Sequence, residues 1–249
     1  MKILDNIINT IQFGDCYELI KKIPNSSVDC VYVDIPYLYF QGGEGNSELG
    51  HRAMKKRKEL INDNLENGCD LSIFNELIRI LKKINIFVWC SKNQVRDIMN
   101  VFNKYGPNFE LLVWCKTNPQ PTTNNTWLPD IEYCLYFREK GIKLNDGYDL
   151  KSKWYISPVN KSDKDLYKHP TIKPLELVKR HILHATQPND IVLDCFCGSG
   201  TTCVAAKETG RRFIGMEINP KYYKIAVDRL NGINANGQTS IFTDFEKMG

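Results

Sequence analysis

Two short apolar runs that each end on an acid constrain this chain most. Ile191-Val192-Leu193-Asp194 leads directly into Cys195-Phe196-Cys197-Gly198-Ser199-Gly200, and a helix-forming run starts at Thr201. Val31-Tyr32-Val33-Asp34 leads directly into Ile35-Pro36-Tyr37. Runs of this length and β-branched content suit strands buried on both faces. An acid closing such a strand lies at the edge where α/β sheets bind ligands. Glycines in the turn let the backbone approach a bound group closely, and the following helix start offers N–H groups to an anion.

The rest of the chain repeats the alternation. Strands are expected over 28–34, 85–90, 109–116, 131–138, 191–196 and 212–218, and helices over 71–83, 92–104, 174–186, 201–209 and 220–230. Pro174 and Pro220 sit where a first helical turn tolerates proline. The fold class expected is α/β, a doubly wound, Rossmann-like parallel sheet with helices on both faces, one domain over 1–249. Two stretches break the pattern. Residues 38–70 turn glycine-rich and then basic, at His51, Arg52, Lys55, Lys56, Arg57 and Lys58. Residues 139–168 are polar, with Trp154, Tyr155 and several lysines. Both read as excursions from the sheet, where binding surfaces often sit.

At 249 residues and a net charge of +4, the chain suits an ordinary globular protein compatible with a polyanion partner. No run of 18 apolar residues occurs, so no membrane span is expected. Residues 1–10 carry Asp5 and lack the apolar stretch of a secretion signal. The nine cysteines are scattered through apolar runs without a Cys-x-x-Cys pair, which reads as reduced, buried thiols. Cys195-x-Cys197 lacks a partner pair, so no metal site is expected.

Phe213-Ile214-Gly215-Met216-Glu217 supplies a second strand ending on an acid, 17 residues beyond Gly200, a spacing at which a carboxylate reaches both hydroxyls of a ribose. On its own Gly198-Ser199-Gly200 also describes a plain strand–helix turn. A nicotinamide or flavin loop would carry a third glycine where Cys203 stands, and would lack the acid and the aromatic ahead of its glycines.

The segment from His169-Pro170-Thr171-Ile172-Lys173-Pro174 through Asp194 and the glycine loop to Glu217-Ile218-Asn219-Pro220 resembles the S-adenosylmethionine-binding half of the β-class amino DNA methyltransferases. Gly14-Asp15-Cys16 and Asp34-Ile35-Pro36-Tyr37 resemble its N-terminal motifs. The resemblance implies S-adenosyl-L-methionine as cofactor. It implies that Asp194, Phe196, Gly198 and Gly200 surround the methionine part, with Ser199, Thr201 and Thr202 at the helix start. Glu217 would bind the ribose and Asp15 the adenine amine. Thr171 and Lys173 would line the pocket edge, and Asp34 would face both cofactor and substrate.

Methylating an aromatic amine requires localising a lone pair that is delocalised into the ring. Two acceptors aimed at the amine hydrogens do this. Asp34 offers one through its side chain and the carbonyl of Ile35 the other, while Tyr37 offers a ring to stack on the base. The family pattern has proline at position 35. Ile35 keeps the carbonyl but loses the fixed φ, and Pro36 still holds residue 35 extended.

Asp at the first motif position is commoner among adenine-N6 enzymes, so adenine is the expected base. Cytosine-N4 is the alternative, and a DNA-binding protein with a decayed site is a third reading. Arg52, Lys55, Lys56, Arg57 and Lys58 are expected to touch phosphates, although they also suit a solvated helix face. Residues 139–168 are expected to read the target. Trp114-Cys115-Lys116 and Asp130-Ile131-Glu132-Tyr133 resemble later motifs that wall the base pocket, although Trp89, Trp114 and Tyr133 suit a core equally well. DNA is the implied partner, with no membrane. A homodimer and a cognate restriction endonuclease stay open, in a cytoplasmic setting of bacterial or phage origin.

Overall fold

The computed structural model describes residues 2–38, 68–121, 127–167 and 169–234. Its centre is an eight-stranded sheet: β1 (Thr10–Phe13), β2 (Cys30–Asp34), β3 (Asn85–Cys90), β4 (Asn108–Lys116), β5 (Ile131–Arg138), β6 (Trp154–Ser157), β7 (Ile191–Asp194) and β8 (Arg212–Glu217), in the spatial order β1-β8-β7-β2-β3-β5-β4-β6.

Alternation along the central strands explains the layers. Val31 and Val33 of β2 face one apolar cluster, with Ile86 and Val88 of β3. Cys30 and Tyr32 face the other, with Phe87 and Trp89. The first cluster is closed by α2 (Cys16–Leu19), a 3-10 turn (Ile20–Lys22), α3 (Ile73–Ile80) and α4 (Val95–Asn103), following the short N-terminal α1 (Lys2–Ile7). The buried residues of α3 are Ile73, Phe74, Leu77 and Ile80, a single helical stripe. After α5 (Tyr148–Lys151) and α6 (Lys161–Tyr167), the second cluster is closed by α7 (Leu175–Ala185), α8 (Thr201–Glu208) and α9 (Pro220–Leu230). Pro220 occupies the first turn of α9, and the Asn219 side chain caps it by accepting from Lys221 N–H at 3.0 Å.

Three expectations need correction. The sheet is mixed, because β5 runs antiparallel to both β3 and β4. The link from β4 to β5 carries several prolines and asparagines and no helical run, so it cannot provide the crossover that a parallel return needs. Residues 139–168 are not wholly an excursion, because Trp154–Ser157 joins the sheet edge parallel to β4. Thr10–Phe13 adds a further strand, β1, parallel to β8. Both added strands have four residues, too short for a periodicity to show in sequence.

β8, β7 and β2 are neighbours and run parallel, so Glu217, Asp194 and Asp34 end at one edge. The chain leaves β2 toward β3 on one side and leaves β7 toward β8 on the other. The β7/β2 boundary is therefore the switch point, where such sheets open a crevice.

Candidate active site

A cavity of about 560 Å³ opens at that boundary, within the roughly 300–1,000 Å³ usual for small-molecule sites. It is lined from β1's end by Gly14 and Asp15, from β2's by Asp34 to Tyr37, and from the glycine loop by Phe196, Gly198 and Ser199. Thr171, Lys173, Thr201, Thr202 and Glu217 also face it.

Each loop residue is held by the sheet's own groups. Asp194 accepts from Phe196 N–H at 3.0 Å and from the Thr202 hydroxyl at 2.6 Å. Burial nevertheless lifts its carboxyl to about 7. Glu217 accepts from Gly198 N–H and Asn219 N–H, both at 2.8 Å, one on each oxygen. Burial raises its carboxyl too, against those N–H groups. Each Glu217 oxygen keeps a second lone pair, which is what a ribose diol needs. Asp15 caps α2 by accepting from Tyr17 N–H at 2.9 Å and stands beside Glu217, because Gly14 N–H donates to the Glu217 carbonyl at 3.0 Å.

The two loop glycines divide their work. Gly198 has φ +51°, and a Cβ there would lie 3.1 Å from His169 Nε2. Gly200 has φ +77° but is not on the cavity wall: a Cβ there would meet Ala226 of α9 at 3.1 Å. The absence of a Cβ at this position leaves room for α9 to pack against the loop. The close packing that a third loop glycine would give falls to Gly215 of β8, where a Cβ would meet Cys203 Sγ at 2.8 Å.

At the β2 side lies a buried ionic cluster. Lys173 Nζ donates to Asp34 Oδ2 at 2.6 Å and to Glu132 Oε2 at 2.9 Å, and lies 3.2 Å from Tyr37 Oη. Tyr37 Oη donates to Glu132 Oε2 at 3.2 Å, and Lys116 pairs with Glu132 Oε1 at 2.6 Å. Burial opposes the charge on Glu132, but Lys173 and Lys116 outweigh it and hold that carboxyl down at about 2. Burial likewise opposes the Lys173 charge, yet Asp34 and Glu132 raise its ammonium above the ordinary lysine range. Burial lifts the Asp34 carboxyl, and Lys173 offsets only part of that. Asp34 Oδ1 is buried with no hydrogen-bond partner, while the side chain keeps 28 % of its surface. An unpaired acceptor at a cavity wall awaits a donor from outside the chain.

Ile35 is fully buried in the core, and its N–H donates to the Trp89 carbonyl at 3.2 Å. That bond and burial fix residue 35 where the family pattern uses a proline ring. The following residues are pinned by Gln94. Its Nε2 donates to the Pro36 carbonyl at 2.9 Å, and its Oε1 accepts from Leu38 N–H at 3.2 Å. Trp89 and Trp114 are core residues, although the Trp89 ring lies 5.1 Å from Lys173 Nζ. The basic residues Arg52, Lys55, Lys56, Arg57 and Lys58 lie outside the described residues.

Sequence reading passed over four residues that build the site. Glu132 belongs to a motif expected to wall the base pocket and His169 to the cofactor-binding segment, but neither is singled out as a site residue. Gln94 carries no motif at all. Arg229 of α9 is buried and donates to Thr201 Oγ1 at 2.8 Å, with its guanidinium 4.6 Å from the Tyr167 ring of α6. Burial of an arginine that near the glycine loop is not readable from spacing.

The cavity fits S-adenosylmethionine on its own chemistry. It holds a strand-end acid with free lone pairs for a diol and a helix start for a carboxylate. It also has two orphaned buried polar atoms, Asp34 Oδ1 and His169 Nε2. Among the described residues no helix is long and apolar enough to cross a membrane.

A family model described as DNA methylase matches residues 28–228. The Type II methyltransferase M2.LlaDCHI of Lactococcus lactis subsp. cremoris is 34% identical over 240 residues, 88% of this chain and 87% of its own. M2.DpnII of Streptococcus pneumoniae, also a Type II methyltransferase, is 34% identical over 243 residues, 89% of each chain. A crystal structure of an M1.HpyAVI–SAM complex superposes with a TM-score of 0.64 at 26% identity, over 88% of this chain and 98% of that one. On this match and these relatives the chain belongs to the N6/N4 DNA methylase family, and it is an S-adenosylmethionine-dependent DNA methyltransferase.

Proposed function

We propose that the chain methylates the exocyclic N6 amine of adenine within a specific DNA sequence, with the base turned out of the duplex into the β2 side of the cavity. The observation that carries this reading is Asp34 Oδ1, a buried acceptor without a hydrogen-bond partner in a residue that lines the same cavity as Tyr37. In this reading Asp34 Oδ1 and the Ile35 carbonyl accept the two amine hydrogens and localise the nitrogen lone pair. Pro36 holds Ile35 extended, and Tyr37 stacks on the base. S-adenosylmethionine, when bound, supplies an electrophilic methyl group on a sulfonium sulfur. Asp34 Oδ1 then takes the proton that the methylated nitrogen gives up, while Lys173 holds Oδ2. Glu217 holds the ribose and Asp15 the cofactor's adenine. Asp194, Phe196, Gly198, Ser199, Thr201, Thr202, Thr171 and Lys173 enclose the methionine end.

Turning out a base costs a few kcal/mol, and stacking on Tyr37 returns about 1–3 kcal/mol of it. Phosphate contacts supply the rest, and Arg52, Lys55, Lys56, Arg57 and Lys58 are assigned to them. The segment 139–168 is assigned to target reading, helped by the exposed rings of Tyr148 and Trp154. A cytoplasmic enzyme, working with a cognate endonuclease and as a homodimer, completes the proposal.

Transfer of labelled methyl to unmodified genomic DNA, followed by nucleoside analysis, tests the reading. N6-methyladenine is the expected product. N4-methylcytosine would overturn the base assignment and keep the site. No transfer with cofactor binding intact would point to Ile35 as a damaging departure or to a different substrate, and no cofactor binding at all would favour the decayed-site reading.

A further inference from the structure

Trp127 is the most exposed large apolar side chain among the described residues, with 97 % of its surface in solvent, and nothing in the proposed chemistry uses it. Trp89 and Trp114, by contrast, are core residues. The Trp127 indole belongs to neither apolar cluster, and Leu128 beside it is also exposed. A ring of this size that supports no core is available to a partner.

The place of its loop says which partner. Asp34 stands in register with Trp89, and Trp89 with Cys134. β5 runs antiparallel to β3, so its first residues, Ile131 to Tyr133, extend past Asp34 at the cavity's edge of the sheet. Lys116 N–H donates to the Asp130 carbonyl at 2.7 Å and closes the base of the β4–β5 loop at that edge. β2, β3 and β5 are neighbours, which sets β5 about 10 Å from β2. Trp127 precedes Ile131 by four residues, so its backbone lies within about 14 Å of the start of β5. A duplex that delivers a base to Asp34 passes over this edge. An uncharged indole offers little to a phosphate, but its flat face stacks on bases. Turning a base out leaves a gap in the stack, and apolar side chains wedge into such gaps. Tyr37 serves the base that leaves, and the gap needs a ring of its own.

We propose that Trp127 inserts its indole into the gap that the target base leaves, a DNA-binding residue that keeps the base turned out. The proposal rests on the reading that a base is turned out into this cavity. The target site is read first from the methylated positions of genomic DNA. Duplexes carrying that site, with the target base paired, mismatched or replaced by 2-aminopurine, then compare wild type, Trp127→Ala and Trp127→Phe. On the paired duplex, kcat/KM is expected to fall about five- to a hundredfold in Trp127→Ala, and Trp127→Phe should keep most of it. The emission of 2-aminopurine, which brightens on leaving the stack, should be weaker with Trp127→Ala. A mismatched base is already loose, so the loss there should shrink to within about threefold. Affinity for S-adenosylmethionine should be equal in all three proteins, since Trp127 is off the cavity wall. No loss in Trp127→Ala, an equal loss on paired and mismatched duplexes, or a drop in cofactor affinity would overturn the role. Wild type that labels no DNA, or methylates it without brightening 2-aminopurine, would remove the base-turning reading itself and the proposal with it.

Discussion

Lys173 Nζ sits 2.6 Å from Asp34 Oδ2 although the two residues are 139 positions apart. The contact ties the segment before α7 to the end of β2 and makes Asp34 one-sided. Its Oδ2 is occupied by an ammonium, and its Oδ1 is buried without a hydrogen-bond partner. Glu132 holds the same ammonium from β5, and Lys116 holds Glu132 from β4. Two carboxylates and two ammonium groups balance, so the cluster orients Asp34 without a net charge.

Lys173→Met should disturb both the fold and the chemistry. It strands Asp34 and Glu132 near each other with no cation between them. Breaking a buried pair from one side costs about 3 kcal/mol. The Asp34 carboxyl, already lifted by burial, rises further without Lys173. Its ionised form is the acceptor, so the acid limb of kcat/KM against pH should move to higher pH. An unmoved limb in a folded variant would separate Lys173 from the function of Asp34.

How much of this was legible in the chain depends on scale. Asp194, Glu217 and Asp34 announce themselves because each closes an apolar run, and a buried strand tolerates an acid only at its end. The partners of those acids are set by packing between distant elements. Glu132 lies on a strand that returns antiparallel, and Gln94 precedes α4, so nothing local marks either one. The packing of Gly200 against Ala226 is hidden for a related reason. A left-handed turn glycine looks the same in sequence whether it faces a ligand or a helix.

Gln94→Ala should loosen the Ile35-Pro36-Tyr37-Leu38 segment. The side chain bonds the Pro36 carbonyl and Leu38 N–H and also accepts from Ser91 N–H at 3.0 Å and the Ser91 hydroxyl at 2.8 Å. Removing it leaves buried groups unpaired and is expected to cost about 2–3 kcal/mol. Turnover should fall by on the order of ten- to a hundredfold, because a misplaced acceptor misses the amine. Cofactor affinity should hold, since Gln94 is off the cavity wall. Steady-state kinetics with a direct binding titration would show the split, and a parallel loss of both would contradict it.

Ile35→Ala tests how position 35 manages without proline. The side chain is fully buried among core residues of the first cluster. Truncation should cost about 2–5 kcal/mol in a denaturant titration. The N–H bond to the Trp89 carbonyl is kept, so the carbonyl should stay in place and turnover below the melting range should change little. A collapse of turnover with little stability loss would reverse the assignment and make the side chain itself a wall of the base pocket.

Asp194 should give the protein a measurable pH dependence. Its carboxyl lies at about 7 in the fold, against about 3.9 in an unfolded chain. Between those values the folded state binds more protons than the unfolded one, so stability from this group falls as pH rises through the window. The effect is complete below the lower value and flat above the higher one. Melting temperature should therefore decline from pH near 5 to pH near 8 more steeply in wild type than in Asp194→Asn, which has no proton to lose. Asn can still accept from Phe196 N–H and donate to the Thr202 hydroxyl, so the variant should fold. Equal slopes in the two proteins would mean that Asp194 is already ionised, with Phe196 N–H and Thr202 outweighing burial.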